Sequence, residues 1–336
     1  MKKTVSLGKY KLIVTSKDPK LFDSLNSYPD YQYSEDRRID IKVYFQSFEG
    51  DHPYINKSNY VLSKNSVDLD PSIIKGHYVS QKLPASDLIL LENNIMISRD
   101  FFHNKLFILY RKDQEHYLIT ESFVETFIAQ VLYRNGEIPF HGAVLVKNNS
   151  SIGFIGKSNS GKSSTIVQLF EACDGLLCND FFYLNLKEKK VYSLDKTIGV
   201  RKSNLRSINR FIANIQSEDC FLGNKVQDYY DISKFSKLKF YTTQTLSKII
   251  YLEIKDDIVV PSINKISNSQ ALRYFLENSI HPSKLLPEQL NLIHLFQILS
   301  KDVCFFKLCL PRFEALDLGD IDSIFDERFI EEIFRN

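Results

Sequence analysis

Ile152-Gly153-Phe154-Ile155-Gly156-Lys157-Ser158-Asn159-Ser160-Gly161-Lys162-Ser163 reads as a short apolar strand that runs straight into a glycine loop and then opens a helix. The last eight residues match G-x-x-x-x-G-K-[ST] at every fixed position. Each residue type has a mechanical reason. Gly156 and Gly161 let the backbone wrap an anion with its N–H groups pointing inward. The helix beginning near Lys162 aims the positive end of its dipole at the same place. Lys162 reaches the β- and γ-phosphates of a nucleoside triphosphate, ATP or GTP, and the Ser163 hydroxyl is a magnesium ligand. Lys157, Ser158, Asn159, Ser160 and Ser164 are further nucleotide-binding candidates along the loop and the first helical turn. A chance Gly-Ser turn would require neither the strand before it nor the helical pattern after it, which puts Ile166, Leu169 and Phe170 on one face.

Toward the C-terminus, Leu176-Leu177-Cys178 is the next strand, and it ends at Asn179-Asp180. An acid at a strand end about one helix after such a loop holds magnesium, so Asp180 is the second metal candidate. Asn179 beside it can position a phosphate or a hydroxyl, or cap the strand end. On a regular strand the two side chains would point to opposite faces. A hairpin follows, with strands Phe182–Leu186 and Val191–Leu194 around a turn at Lys187–Lys190. Further on, helices are expected near 203–215, 269–280, 288–300 and 322–334, with strands at Leu246–Leu252 and Val303–Leu308.

Toward the N-terminus, Asn148-Asn149-Ser150-Ser151 is a turn behind the strand Ala143–Val146. His141 lies in Phe140-His141-Gly142, just ahead of that strand. Taken alone, a histidine there is more often structural than chemical. A helix over 121–134, capped by Thr120 and stopped by Asn135-Gly136, places Phe123, Phe127, Val131 and Leu132 on one face. Residues 1–119 are β-rich, with strand-like runs at Lys11–Val14, Ile41–Phe45, Leu88–Leu91, Ile95–Ile97 and Leu106–Tyr110. Asn93-Asn94 reads as a hairpin turn, and 51–65 as a loop. A chain of 336 residues is too long for one ordinary core. The expected architecture is therefore α/β in two domains: a β-rich N-terminal domain with a bridging helix over 1–135, whose side chains stay clear of the nucleotide, and a P-loop nucleotide-binding domain over 136–336.

Composition removes several classes. A net charge of +2 gives no electrostatic footprint for nucleic acid. No run of eighteen apolar residues occurs, so no membrane span is expected. The N-terminus lacks the apolar core of a signal peptide. Cys173, Cys178, Cys220, Cys304 and Cys309 are odd in number and have no C-x-x-C spacing, which reads as reduced thiols in a cytoplasmic protein.

Phe140-His141-Gly142-Ala143-Val144-Leu145-Val146, then Gly156 through Ser163, then Leu176-Leu177-Cys178-Asn179-Asp180 together resemble the HPr kinase family and its relatives that modify ribosomally made peptides. The resemblance is specific over about 138–195 and loose from 196 to 320. It implies a fold of the HPr kinase and phosphoenolpyruvate (PEP) carboxykinase type. It also implies phosphoryl transfer from ATP or GTP, with Mg2+, to a serine or threonine hydroxyl. By the same resemblance His141 lies near the acceptor, Lys162 and Ser163 serve the phosphates and magnesium, and a homo-oligomer is among the expectations. The chain departs from the family pattern at one place. The family usually has Asp-Asp at the strand end, the first acting as base, and here that first position is Asn179. An amide cannot accept the proton, so Asp180 or His141 would have to. Thr197-Ile198-Gly199-Val200-Arg201 is a poor match to the family's glycine-rich segment for the reverse reaction, which argues for a tailoring kinase over a regulator of sugar transport.

Two functions follow as expectations. One is a kinase acting on a peptide or small-molecule hydroxyl, with Lys162, Ser163, magnesium and Arg201 stabilising the transferred group, in keeping with peptide modification. The other is a nucleotide-binding sensor or assembly subunit, in which Asn179 marks lost chemistry.

Overall fold

The computed structural model describes residues 1–23, 39–48, 78–83, 86–91, 95–111, 124–157, 160–201, 220–223, 227–231, 239–280, 286–312 and 325–335. The turn at Asn93-Asn94, the loop 51–65, the cap Thr120 with Phe123, the helix expected over 203–215, and Ser158 and Asn159 lie outside them. The chain is mixed α/β and divides into two compact units, one ending at Asn135 and the other beginning at Gly136.

The first unit holds β1 (Lys2–Leu7), β2 (Tyr10–Thr15), a single helical turn α1 (Lys20–Asp23), β3 (Ile39–Phe48), β4 (Tyr78–Leu83), β5 (Ser86–Leu91), β6 (Ile95–Asp100), β7 (Lys105–Arg111) and α2 (Glu125–Arg134). Its strands form one sheet in the order β1-β2-β3-β7-β6-β5-β4. The pairs β2–β3 and β3–β7 are parallel and the rest antiparallel. Leu12, Val14, Ile41, Val43, Leu106 and Ile108 alternate onto one buried face. The described part of helix α2 runs from Glu125 to Arg134, and the expected start at 121 lies outside the described residues. It buries Phe127, Val131 and Leu132 as that pattern requires, and its Gln130 accepts a hydrogen bond from the buried Arg99 at 3.1 Å.

The second unit contains β8 (Glu137–Lys147), β9 (Ser150–Ile155), α3 (Lys162–Leu169) with a 3-10 turn at Phe170–Ala172, β10 (Gly175–Cys178), β11 (Phe181–Asn185), β12 (Lys190–Ser193), β13 (Thr197–Arg201), β14 (Cys220–Gly223), β15 (Gln227–Asp231), β16 (Lys239–Phe240), β17 (Thr243–Lys255), β18 (Ser262–Lys265), α4 (Asn268–Asn278), α5 (Leu286–Leu299), β19 (Cys304–Pro311) and α6 (Glu327–Phe334). Its main sheet has nine strands, in the order β16-β10-β8-β11-β12-β17-β19-β18, with β9 joining β8 to β17. Strands β13, β15 and β14 make a separate small sheet, where the sequence reading saw only an imperfect glycine segment.

Strand β8 organises the unit. Asn148 and Asn149 take φ of 52° and 60°, the pair of positive values that a two-residue hairpin turn requires, and fold β9 back along β8. On the other side of β8, β11 and β10 lie end to end. β11 pairs with Glu137–His141 and β10 with Val144–Val146. His141 is therefore inside the strand, and the expectation that it precedes one is corrected: β11 extends the pairing of β8 back to Glu137. Strand β17 then joins the two sides, parallel to β9 and antiparallel to β12, so that β8, β9, β17, β12 and β11 close a ring.

Helix α3 packs its apolar face on this sheet. Ile166, Leu169 and Phe170 bury against Leu145, Ile152, Phe154, Leu252, Leu308 and Leu310. The expected helix over 162–173 ends its α-helical part at Leu169 and tightens into a 3-10 turn, a common way for a helix to finish.

Candidate functional site

The strand register brings three separate stretches of sequence to one level of the sheet. Gly142 stands opposite Ile155, the residue before the glycine loop. His141 stands opposite Phe181, and the Gly142 N–H donates to the Asp180 carbonyl at 2.9 Å. The loop entrance, His141-Gly142 and Asn179-Asp180 are thus neighbours across adjacent strands. Because β9 and β10 both run antiparallel to β8, they reach this level at their C-terminal ends.

The loop has the backbone its glycines demand. A Cβ on Gly156 would lie 2.6 Å from the Leu252 carbonyl oxygen and 2.7 Å from Ser160 Oγ, distances that no side chain could occupy without displacing the neighbouring strand. Gly161 caps α3 with φ of 78°, in the left-handed region that other residues enter only at a cost. No acidic residue sits in the first turn of α3, so nothing there offsets the positive end of its dipole.

Lys162 is only 7% exposed. Its Nζ donates to the carbonyls of Gly156 at 2.8 Å and Lys157 at 3.1 Å, two of the three donors an ammonium has. Burial pulls its ammonium below the usual lysine range, and the charge of Asp180 works against that shift. The hydroxyls of Ser160 and Thr165 are buried with no hydrogen-bond partner among the described residues, while Ser163 and Ser164 are half-buried.

The strand end departs from regular pleating. The register of β10 shifts along β8 between Leu176 and Cys178, and residues 179–180 lie between two strands. Asp195 gathers the backbone amides of this segment. Its Oδ1 accepts the N–H of Asn179 at 3.3 Å, and its Oδ2 accepts those of Asp180 at 3.0 Å and Phe181 at 2.6 Å. The backbone of three successive residues is drawn around one carboxyl group. Burial, with the charge of Asp180 second, pushes the Asp195 carboxyl up to about 8, and the three amides oppose that rise. The same burial, with both carboxylates nearby, raises the Cys178 thiol well above its ordinary range, so this cysteine stays protonated.

The Asn179 side chain is fully buried, and neither its amide oxygen nor its amide nitrogen has a partner among the described residues. A buried amide with both ends unpaired is rare enough to call for a cause. Asp180 is half-buried and the His141 side chain is exposed.

Asp195 has no place in the sequence reading. The signal for it was the hairpin register. Phe182 pairs with Ser193, which puts Asp195 beside Asp180 two residues further on. With the turn read at Lys187–Lys190, position 180 would face Thr197 instead. The turn occupies Leu186–Lys189 because Asn185 closes it: its Oδ1 accepts the Glu188 N–H at 3.0 Å and its Nδ2 donates to Glu188 Oε1 at 3.0 Å.

As a donor set these residues fit a polyphosphate with a divalent cation. The cradle at Gly156 excludes a side chain, the loop lysine lies under the helix end, and a hydroxyl and a carboxylate stand on adjacent segments. Among the described residues no three His, Cys, Asp or Glu side chains cluster to hold a metal by themselves. Magnesium is commonly held by one or two protein oxygens together with substrate phosphates. No helix among the described residues is long and apolar enough to cross a membrane.

No family model and no curated protein sequence matches this chain. Among solved structures, the HPr(Ser) kinase/phosphatase from Coxiella burnetii is similar over 58% of this chain and 97% of its own, with 12% sequence identity and a TM-score of 0.27. A likeness that weak establishes neither fold nor activity.

Proposed function

We propose that the second unit, a P-loop nucleotide-binding domain, binds ATP or GTP with magnesium and that the chain transfers the terminal phosphoryl group to a hydroxyl of a peptide or small molecule. The observation that carries the reading is the meeting of loop, His141 and Asp180 at one level of the sheet. The motif resemblance to HPr kinases in sequence points the same way. The loop amides and Lys162 hold the phosphates, and Ser163 and Asp180 hold the cation. Magnesium, when bound, neutralises charge on the phosphate oxygens. In the transfer, the bond from the γ-phosphorus to its bridging oxygen breaks as the acceptor oxygen bonds to phosphorus, with the nucleoside diphosphate as leaving group. The acceptor's proton passes to His141 or Asp180, the two groups at this level able to take it. Positioning and charge account for most of the catalysis in such transfers.

Asn179 favours a second reading, a nucleotide-binding sensor or assembly subunit, because an amide stands where the resembling family has its base. Labelled ATP separates the two. The kinase reading expects label on the protein itself or on a serine or threonine peptide from a varied panel. It expects His141→Ala to slow transfer while nucleotide affinity stays close to wild type, and Asn179→Asp to speed transfer. Absence of transfer by both wild type and Asn179→Asp, with nucleotide binding intact, would leave the sensor reading.

A further inference from the structure

The turn at Asn179-Asp180-Phe181 is shaped by a residue that lies outside the glycine loop in sequence. Asp195 lies two residues past the end of β12, the return strand of the β11–β12 hairpin, and gathers the N–H groups of all three residues. Its own backbone is tied as well, since the Ser193 hydroxyl donates to the Asp195 carbonyl. Side-chain carboxyls that collect successive backbone amides fix a local conformation that the strand would not otherwise keep. Here that conformation fixes Asp180 beside β8, where its carbonyl accepts the Gly142 N–H at 2.9 Å.

From this geometry we infer that Asp195 is a positioning residue for magnesium: it holds Asp180 in the orientation that the cation needs, without being a ligand itself. The inference rests on the nucleotide reading above. A residue that orients a metal ligand carries a recognisable energetic signature. Its loss weakens metal binding by about tenfold or more, comparable to losing an outer-shell partner. It leaves phosphate contacts made by other elements in place. It also has a chemical signature. What the turn needs from position 195 is acceptor oxygen, whereas a direct cation ligand would need negative charge. Asp195→Asn keeps one acceptor oxygen, which can take the two shorter bonds, from Asp180 and Phe181, and loses only the longest, from Asn179. Asp195→Ala loses all three.

ATP affinity measured by calorimetry with and without magnesium chloride tests this. The quantity read is the ratio of the two affinities, with circular dichroism confirming that each variant is folded. Asp195→Ala is expected to lower the ratio about tenfold while metal-free affinity stays within about twofold. Asp180→Ala should do the same, and the double variant should lose no more than either alone, because both remove one interaction. Asp195→Asn should recover most of the wild-type ratio. An unchanged ratio in Asp195→Ala, when Asp180→Ala loses it, overturns the inference and leaves the nucleotide reading standing. So does Asp195→Asn behaving like Asp195→Ala, which would make Asp195 a ligand. Absence of ATP binding in wild type overturns the nucleotide reading itself. Should Asp195→Ala not fold, Ser193→Ala, which frees the Asp195 carbonyl, is expected to lower the ratio about threefold, on the scale of one neutral hydrogen bond; no change there overturns the inference.

Discussion

At the scale of single residues, the site is set by which polar groups are buried and what they hold. Asp195 makes the clearest thermodynamic statement. Its folded carboxyl is raised from the ordinary 3.8 to about 8, by burial first and by Asp180 second. A carboxyl with a raised folded value keeps its proton in the native state after the unfolded chain has lost it. Between these two values the native state binds more protons, so stability falls as pH rises through the window and levels off above it. Thermal melting in metal-free buffer from about pH 5 to pH 8 checks the sign. The melting temperature of wild type should fall more steeply with pH than that of Asp195→Asn, which has no group to titrate there. Parallel profiles for the two proteins would show that Asp195 is not the source. Asn179 is the other residue whose state calls for a cause, being buried with neither end of its amide paired among the described residues. A bound phosphate or hydroxyl could satisfy it, and an aspartate there would add a carboxylate to a turn that already buries one.

At the scale of elements, the local signals were legible and the pairings were not. The strand, glycine loop and helix of β9 to α3 could be read directly, because glycine at a positive φ, an apolar run and a helical stripe are all contained within about twenty residues. The hairpin of β11 and β12 was legible as a hairpin but not in register, since Leu186 reads as strand from its side chain while Asn185 draws it into the turn. That one residue hid Asp195. The ring closed by β12 on β17 joins Lys190–Tyr192 to Thr243–Thr245, a pairing across some fifty residues that no periodicity announces. Helix α3 carries a prediction at this scale. Its inward face is the floor beneath the loop, and Ile166 is fully buried in it. Ile166→Ala should destabilise the protein by about 2–5 kcal/mol, the range for removing a large aliphatic side chain from a packed core. Urea denaturation measures it, and a loss under about 1 kcal/mol would mean that the helix is not packed as described.

At the scale of the whole chain, the loop, His141, Asn179, Asp180 and Asp195 all fall in the unit that begins at Gly136. That unit supplies the candidate site from four stretches of sequence, and its sheet is what makes them neighbours. The role of the other unit was not legible, because its sheet is built from core-forming alternation that any β-rich domain could use, with no motif that carries chemistry. Everything proposed for the site presupposes that the glycine loop holds a nucleoside triphosphate with magnesium. Titration calorimetry of the full chain with ATP and magnesium, in wild type and Lys162→Ala, tests it most directly. Micromolar, magnesium-dependent binding to wild type is expected, with a loss of about tenfold to a hundredfold in Lys162→Ala, the scale of a charge-assisted bond to phosphate. Equal affinity in the two proteins, or no binding to wild type, would contradict it.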